Sequence, residues 1–109
     1  MTTIRRDNSY ATLINVFTVE PDNAAELTSL LASVTEDVMQ HQPGFLSANI
    51  HLSSDRTRVV NYAQWQSAEH YRAMLSDDSA REHMATAAAL AISFDPHVYT
   101  VESVHERYH

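Results

Sequence analysis

Apolar and polar residues alternate along residues 10–19, "YATLINVFTV", and the alternation predicts a strand. It sets Leu13, Asn15 and Phe17 on one face and Thr12, Ile14 and Val16 on the other. The period then changes. Leu27, Leu30, Leu31, Val34 and Val38 recur at helical spacing and form one apolar stripe. Asn23, with Glu26 three residues on, has capping-box spacing and predicts the start of that helix, and "QPG" at residues 42–44 ends it. Two further alternating runs, residues 45–53 and 57–65, flank the turn sequence "SSDRT" and predict a hairpin. Ser67 suits the N-cap of a helix reaching about residue 76, with Glu69 favourable in its first turn. Ser79 and Glu82 predict a second start, running through "MATAAALAI". Asp95 and Pro96 are expected to break this helix, and "HVYTVESV" to form the last strand.

The resulting order is β-α-β-β-α-β. This is the α+β, ferredoxin-like topology, with one four-stranded antiparallel sheet and helices on a single face. Residues 10–104 are expected to form the domain, with residues 1–9 a flexible lead and 105–109 a tail. On the third strand, Val60 and Tyr62 face one side while Val59, Ala63 and Trp65 face the other. A sheet open to water on one side carries polar residues there. Apolarity on both faces therefore predicts that a second copy of the chain covers the far one, in a homodimeric α+β barrel.

Composition removes several kinds of chemistry. The 109 residues contain no cysteine, which excludes disulfides, thiolate catalysis and cysteine-ligated metals. A single glycine, Gly44, is too few for a glycine-rich phosphate loop, so a nucleotide or flavin held in that way is not expected. The formal charge of −7 disfavours nucleic acid and anionic membranes as partners. The start "MTTIRRDNSY" leads into no signal-like apolar run, and a cytoplasmic location is expected.

One interruption points to a site. In "VVNYAQW", residues 59–65, an asparagine sits inside a strand, where its amide is costly unless hydrogen-bonded. Alternation puts Asn61 on the same face as Ala63 and Trp65, the chain's only tryptophan. If Asn15 and Phe17 share that face, an aromatic-walled pocket with two amides lies between sheet and helices, and Tyr71 leans in from the following helix. Each residue also has a plainer reading, Trp65 as core and Asn61 as partner to a neighbouring backbone group. Their common face favours the pocket. Among seven histidines, His105 and His109 are four apart, but no H-E-x-x-H motif or convergent ligand set exists, and no metal is expected. His83, following Arg81 and Glu82 on the late helix near where Tyr71 points, reads either as a base or as a plain exposed helix histidine.

The segment "PGFLSANIHLSSDRTRVVNYAQWQSAEHYRAM" resembles the antibiotic biosynthesis monooxygenase family, and the resemblance extends over residues 11–104. It is strongest to the family's cofactor-independent enzymes, which oxidise anthrone-type phenols of aromatic polyketide pathways to quinones with molecular oxygen. The resemblance implies a dimer of ferredoxin-like domains and a small aromatic substrate. Asn61, Trp65 and Tyr71 match pocket residues that hold substrate oxygens in that family. The family's helix arginine has no direct match: His83 falls near its position and Arg81 two residues earlier. Two rival readings stand beside this one. Haem-degrading oxygenases of the same superfamily use an asparagine and a histidine near Asn15 and His83, but also a helix tryptophan that "YRAMLSD" lacks. A dimer that binds or helps cyclise a polyketide without oxidising it would share the same fold.

Overall fold

The computed structural model describes residues 2–6 and 9–107. Four strands and three helices follow in the order β1 (Ala11–Thr18), α1 (Pro21–Asp37), β2 (Phe45–Leu52), β3 (Arg58–Trp65), α2 (Ala68–Met74), α3 (Asp78–Leu90) and β4 (Ser93–Tyr99), with a 3-10 turn at Met39–His41 before β2. The sheet is antiparallel in the order β2-β3-β1-β4, which is the ferredoxin-like arrangement expected from the hydrophobic pattern. Pairing of β1 with β3 sets Leu13 opposite Ala63, Asn15 opposite Asn61 and Phe17 opposite Val59. The inner face thus carries the two amides side by side.

Two helix starts differ from the expected ones. α1 begins at Pro21, one turn-defining proline after Glu20, and no side chain caps it. Proline's fixed φ already suits the first helical position, where its missing N–H would have no partner within the helix, so Asn23 falls inside the first turn. α3 is capped by Asp77, whose Oδ2 accepts from Ala80 N at 2.9 Å, rather than by Ser79. A carboxylate there also complements the positive end of the helix dipole. Ser67 caps α2 as expected, its Oγ accepting from His70 N.

The last strand lies earlier than the sequence suggested. The helix stops at Leu90, and Asp95 and Pro96 sit within β4, paired to β1. Registry with residues 12–18 of β1 decides the matter, because β1 begins at Ala11 and the expected residues 101–104 run past its start. β4 is an edge strand, where a proline costs least. The ladder is supplemented by Asn15, whose Oδ1 accepts from Asp95 N at 3.1 Å.

Two clusters fill the space under the helices. One joins Leu13, Ala63, Trp65, Tyr71, Met74 and Ala80; the other joins Phe17, Val19, Ala24, Leu27, Val59 and Ala87. On the opposite face Ile14, Val16, Val60 and Tyr62 are half-buried with no layer of helices above them. The lead segment, expected to be loose, is bonded to one end of this face. Asn49 Nδ2 donates to Thr2 Oγ1 at 2.6 Å, and Gln64 Nε2 to the Thr3 carbonyl at 2.6 Å. The His105 and His109 spacing cannot be followed, since His109 lies outside the described residues.

The β2–β3 turn is organised by Asp55. Its Oδ1 accepts from Ser53 Oγ at 2.8 Å, Thr57 N at 3.0 Å and Thr57 Oγ1 at 2.7 Å. These bonds, that to the Thr57 hydroxyl foremost, hold the carboxyl down at about 2 against an ordinary 3.8. A carboxylate with a depressed folded-state pKa stabilises the fold fully above its unfolded value and loses that contribution as pH falls through the folded one. Asp55→Ala is therefore expected to lower the melting temperature at pH 7, and the gap from wild type should close between pH 3.8 and about 2. Thermal melts at pH 7, 4 and 2 measure it; a gap independent of pH would contradict this role.

Candidate active site

A cavity of about 460 Å³ opens between the inner face of the sheet and the helices. Its floor comes from β1, β3 and β4, its roof from α1 and α3, and one end from α2. Asn15, Phe17, Asn61, Trp65, Tyr71, Arg81 and His83 all line it, so the seven residues singled out in the sequence meet in one place.

Strand alternation explains the floor. Asn61, Ala63 and Trp65 are successive inward positions of β3, and Leu13, Asn15 and Phe17 those of β1. Asn15 is tied to β4 through its carbonyl oxygen, since a backbone N–H can bond only that end of the amide. Its NH₂ group is thereby left for the cavity. Trp65 is 2% exposed and wedged between two rings. Phe45 meets it edge-on, with centroids 5.5 Å apart at 89°, and Tyr71 lies tilted at 6.1 Å.

Two buried polar atoms in this wall have no hydrogen-bond partner among the described residues: Asn61 Oδ1 and Trp65 Nε1. One can only accept and the other only donate. Leaving such atoms unpaired in a dry wall costs roughly 1–3 kcal/mol each, a cost that a ligand with a matching hydroxyl and oxygen acceptor would recover. Burial raises the Tyr71 phenol above its ordinary 10.0, so it remains a neutral O–H donor well beyond neutral pH.

The roof brings a histidine and an arginine to the cavity. His83 Nδ1 lies 2.7 Å from the Ser79 carbonyl oxygen. A carbonyl only accepts, so Nδ1 carries the proton and the neutral ring keeps its lone pair on Nε2. Arg81 forms no ion pair among the described residues, so its charge is free to meet an anionic ligand. The positions are thus both occupied: α3 brings Arg81 and His83 to the same cavity, two residues apart.

Other lining residues were not anticipated. Phe45 and Ala48 both face inward although three apart, because the β2–β3 register shifts between Phe45 and Ser47 and breaks simple alternation. Phe94 and Pro96 line the β4 side, although the sequence predicts a helix break at Asp95 and Pro96 and a strand only from His97. Met74 and Leu75 close the α2 end. Among the described residues no group of three or more His, Cys, Asp or Glu could hold a metal ion, and no helix is long and apolar enough to cross a membrane.

Comparison with known proteins follows the same lines. The family model for antibiotic biosynthesis monooxygenases matches residues 11–86. Tetracenomycin-F1 monooxygenase of Streptomyces glaucescens is 48% identical over 83 residues, covering 76% of this chain and 74% of that protein. Among solved structures, a monooxygenase from the gene ActVA-Orf6 of Streptomyces coelicolor, in complex with the ligand Nanaomycin D, superposes with a TM-score of 0.79 at 26% identity, over 93% of this chain and 94% of the other. SnoaB, a cofactor-independent oxygenase from Streptomyces nogalater, shares the fold with a TM-score of 0.72 at 21% identity, over 88% and 96% of the two chains.

Proposed function

This chain belongs to the antibiotic biosynthesis monooxygenase family, and we propose that it oxidises an anthrone-type or hydroquinone-like aromatic polyketide intermediate to a quinone with molecular oxygen. The observation that carries the reading is the unpaired donor and unpaired acceptor in one aromatic wall, Trp65 Nε1 and Asn61 Oδ1. A flat phenolic ketone offers both complements. The names of the relatives, one acting on tetracenomycin F1 and one holding Nanaomycin D, support an aromatic polyketide as the ligand class.

The substrate itself supplies the electrons, so no bound metal or flavin is called upon. His83 Nε2 takes a proton from the ring methylene and leaves an enolate. Trp65 Nε1–H and the Tyr71 hydroxyl donate to its oxygen, and Arg81 adds a positive charge nearby. Asn61 Oδ1 accepts from a substrate hydroxyl, and the Asn15 NH₂ group binds a second oxygen. The enolate passes one electron to O₂; the resulting carbon radical and superoxide join in a C–O bond, and the peroxide takes up a proton. Loss of water then converts the carbon to a carbonyl. One oxygen atom enters the product and the other leaves as water. The protein contributes orientation, oxyanion stabilisation and exclusion of bulk water.

The half-buried outer residues Ile14, Val16, Val60 and Tyr62 support a homodimer formed through that face, with a second copy supplying the missing layer. Incubating the purified protein with an anthrone under ¹⁸O₂ tests the activity. Quinone absorbance should rise faster than in a protein-free control, with one labelled oxygen in the product and no effect of a chelator. Equal rates with and without protein would overturn the oxygenase reading. A shifted Soret band on mixing with haemin would favour the haem-degrading alternative instead.

A further inference from the structure

His70 precedes Tyr71 in α2 and takes no part in the chemistry above. Its ring packs directly on Gly44, the residue before β2. A Cβ at Gly44 would stand 2.3 Å from His70 Cγ and 2.5 Å from its Cβ and Cδ2, so the ring fills the space a side chain would need. Gly44 also has φ +82°, in the left-handed region that favours glycine.

Both partners are anchored. Ser67 Oγ accepts from His70 N at 3.1 Å and shares a second hydrogen bond with His70 Nδ1 at 2.7 Å, which fixes the ring. The Gly44 carbonyl accepts from Gln66 N at 2.7 Å, tying the start of β2 to the end of β3. The residue after Gly44 is Phe45, whose ring meets Trp65 edge-on. A short physical chain therefore runs from the α2 ring through the only glycine to the wall of the cavity.

We propose that His70 is a positioning residue: by packing on Gly44 it sets Phe45 against Trp65 and so holds the tryptophan in place in the cavity wall. Its effect on turnover rests on the function proposed above; its effect on Trp65 does not. A shift of a fraction of an ångström in a group that acts mainly in the transition state lowers kcat while leaving ground-state binding largely intact.

The experiment uses the intrinsic fluorescence of Trp65, the one tryptophan in the chain. In a folded His70→Ala protein, acrylamide quenching of Trp65 should rise about twofold, and kcat on an anthrone should fall about tenfold with KM changed less than about twofold. His70→Phe keeps a flat ring on Gly44 and should restore both. If His70→Ala does not fold, His70→Leu, which keeps bulk without the ring, is read in the same way. Gly44→Ala should melt well below wild type, and the Gly44→Ala/His70→Ala double variant should melt above Gly44→Ala, because removing the ring relieves the clash. Unchanged quenching in a folded variant, or no recovery in the double variant, would overturn the proposal. If even the wild type fails to oxidise anthrones, the proposed function falls, while quenching and rescue still decide the role of His70.

Discussion

Trp65→Phe is expected to lower kcat on an anthrone substrate about 10²-fold, with a much smaller change in KM. The substitution keeps an aromatic ring between Phe45 and Tyr71 but deletes the indole N–H, a buried donor without a partner among the described residues. Negative charge builds on the substrate oxygen only after deprotonation, so the lost bond weighs on the transition state more than on binding. The smaller ring leaves a void in a wall where Trp65 is 2% exposed, at a cost to stability of about 1–2 kcal/mol. Steady-state kinetics alongside thermal melts separate the two effects. A variant that melts lower yet turns over at the wild-type rate would make Trp65 a core residue and nothing more.

The second large effect concerns size. Ala88→Leu is expected to cut kcat/KM for a three-ring anthrone at least about tenfold while sparing two-ring 1-naphthol, whose keto form carries the same ring methylene. Ala88 lines the cavity from α3, together with Met84 and Ala85, on the roof that stands over the sheet. Alanines here hold the cavity open where a larger side chain would fill it. Leucine is close to alanine in helix propensity and adds apolar contacts, so the melting temperature should hold or rise. Competing the two substrates in one assay measures the ratio directly. Equal losses on both would show that the roof does not set substrate size.

Much of this site is legible in the sequence. Period-two alternation is a hard geometric rule, so Asn15, Phe17, Asn61 and Trp65 fell on one face as soon as β1 and β3 were assigned. Tyr71 followed from the Ser67 cap, which fixes where α2 begins. The misses have equally physical causes. Phe45 and Ala48 share a face only because a register shift interrupts β2, and no composition rule marks it. Phe94 and Pro96 were hidden by reading Asp-Pro as a stop, when pairing to β1 outweighs local preference. The caps of α1 and α3 show the same competition: an adjacent Pro21 and an earlier Asp77 outdo Asn23 and Ser79. His70 stayed invisible because its meaning depends on Gly44, twenty-six positions away in sequence and in contact only once the chain has folded.

Pro96 has a consequence for how chains meet one another. An exposed sheet margin invites a further strand from a neighbour, and strand upon strand makes a fibre. Such growth needs an unbroken row of N–H groups along the margin, and β4 lacks one near its middle. Phe94, Val98 and Tyr99 make this margin sticky in composition, with 52%, 45% and 44% of their surfaces exposed. The proline makes it a poor template all the same. Open-ended growth along β4 is therefore disfavoured at its centre, whatever the apolar surface around it.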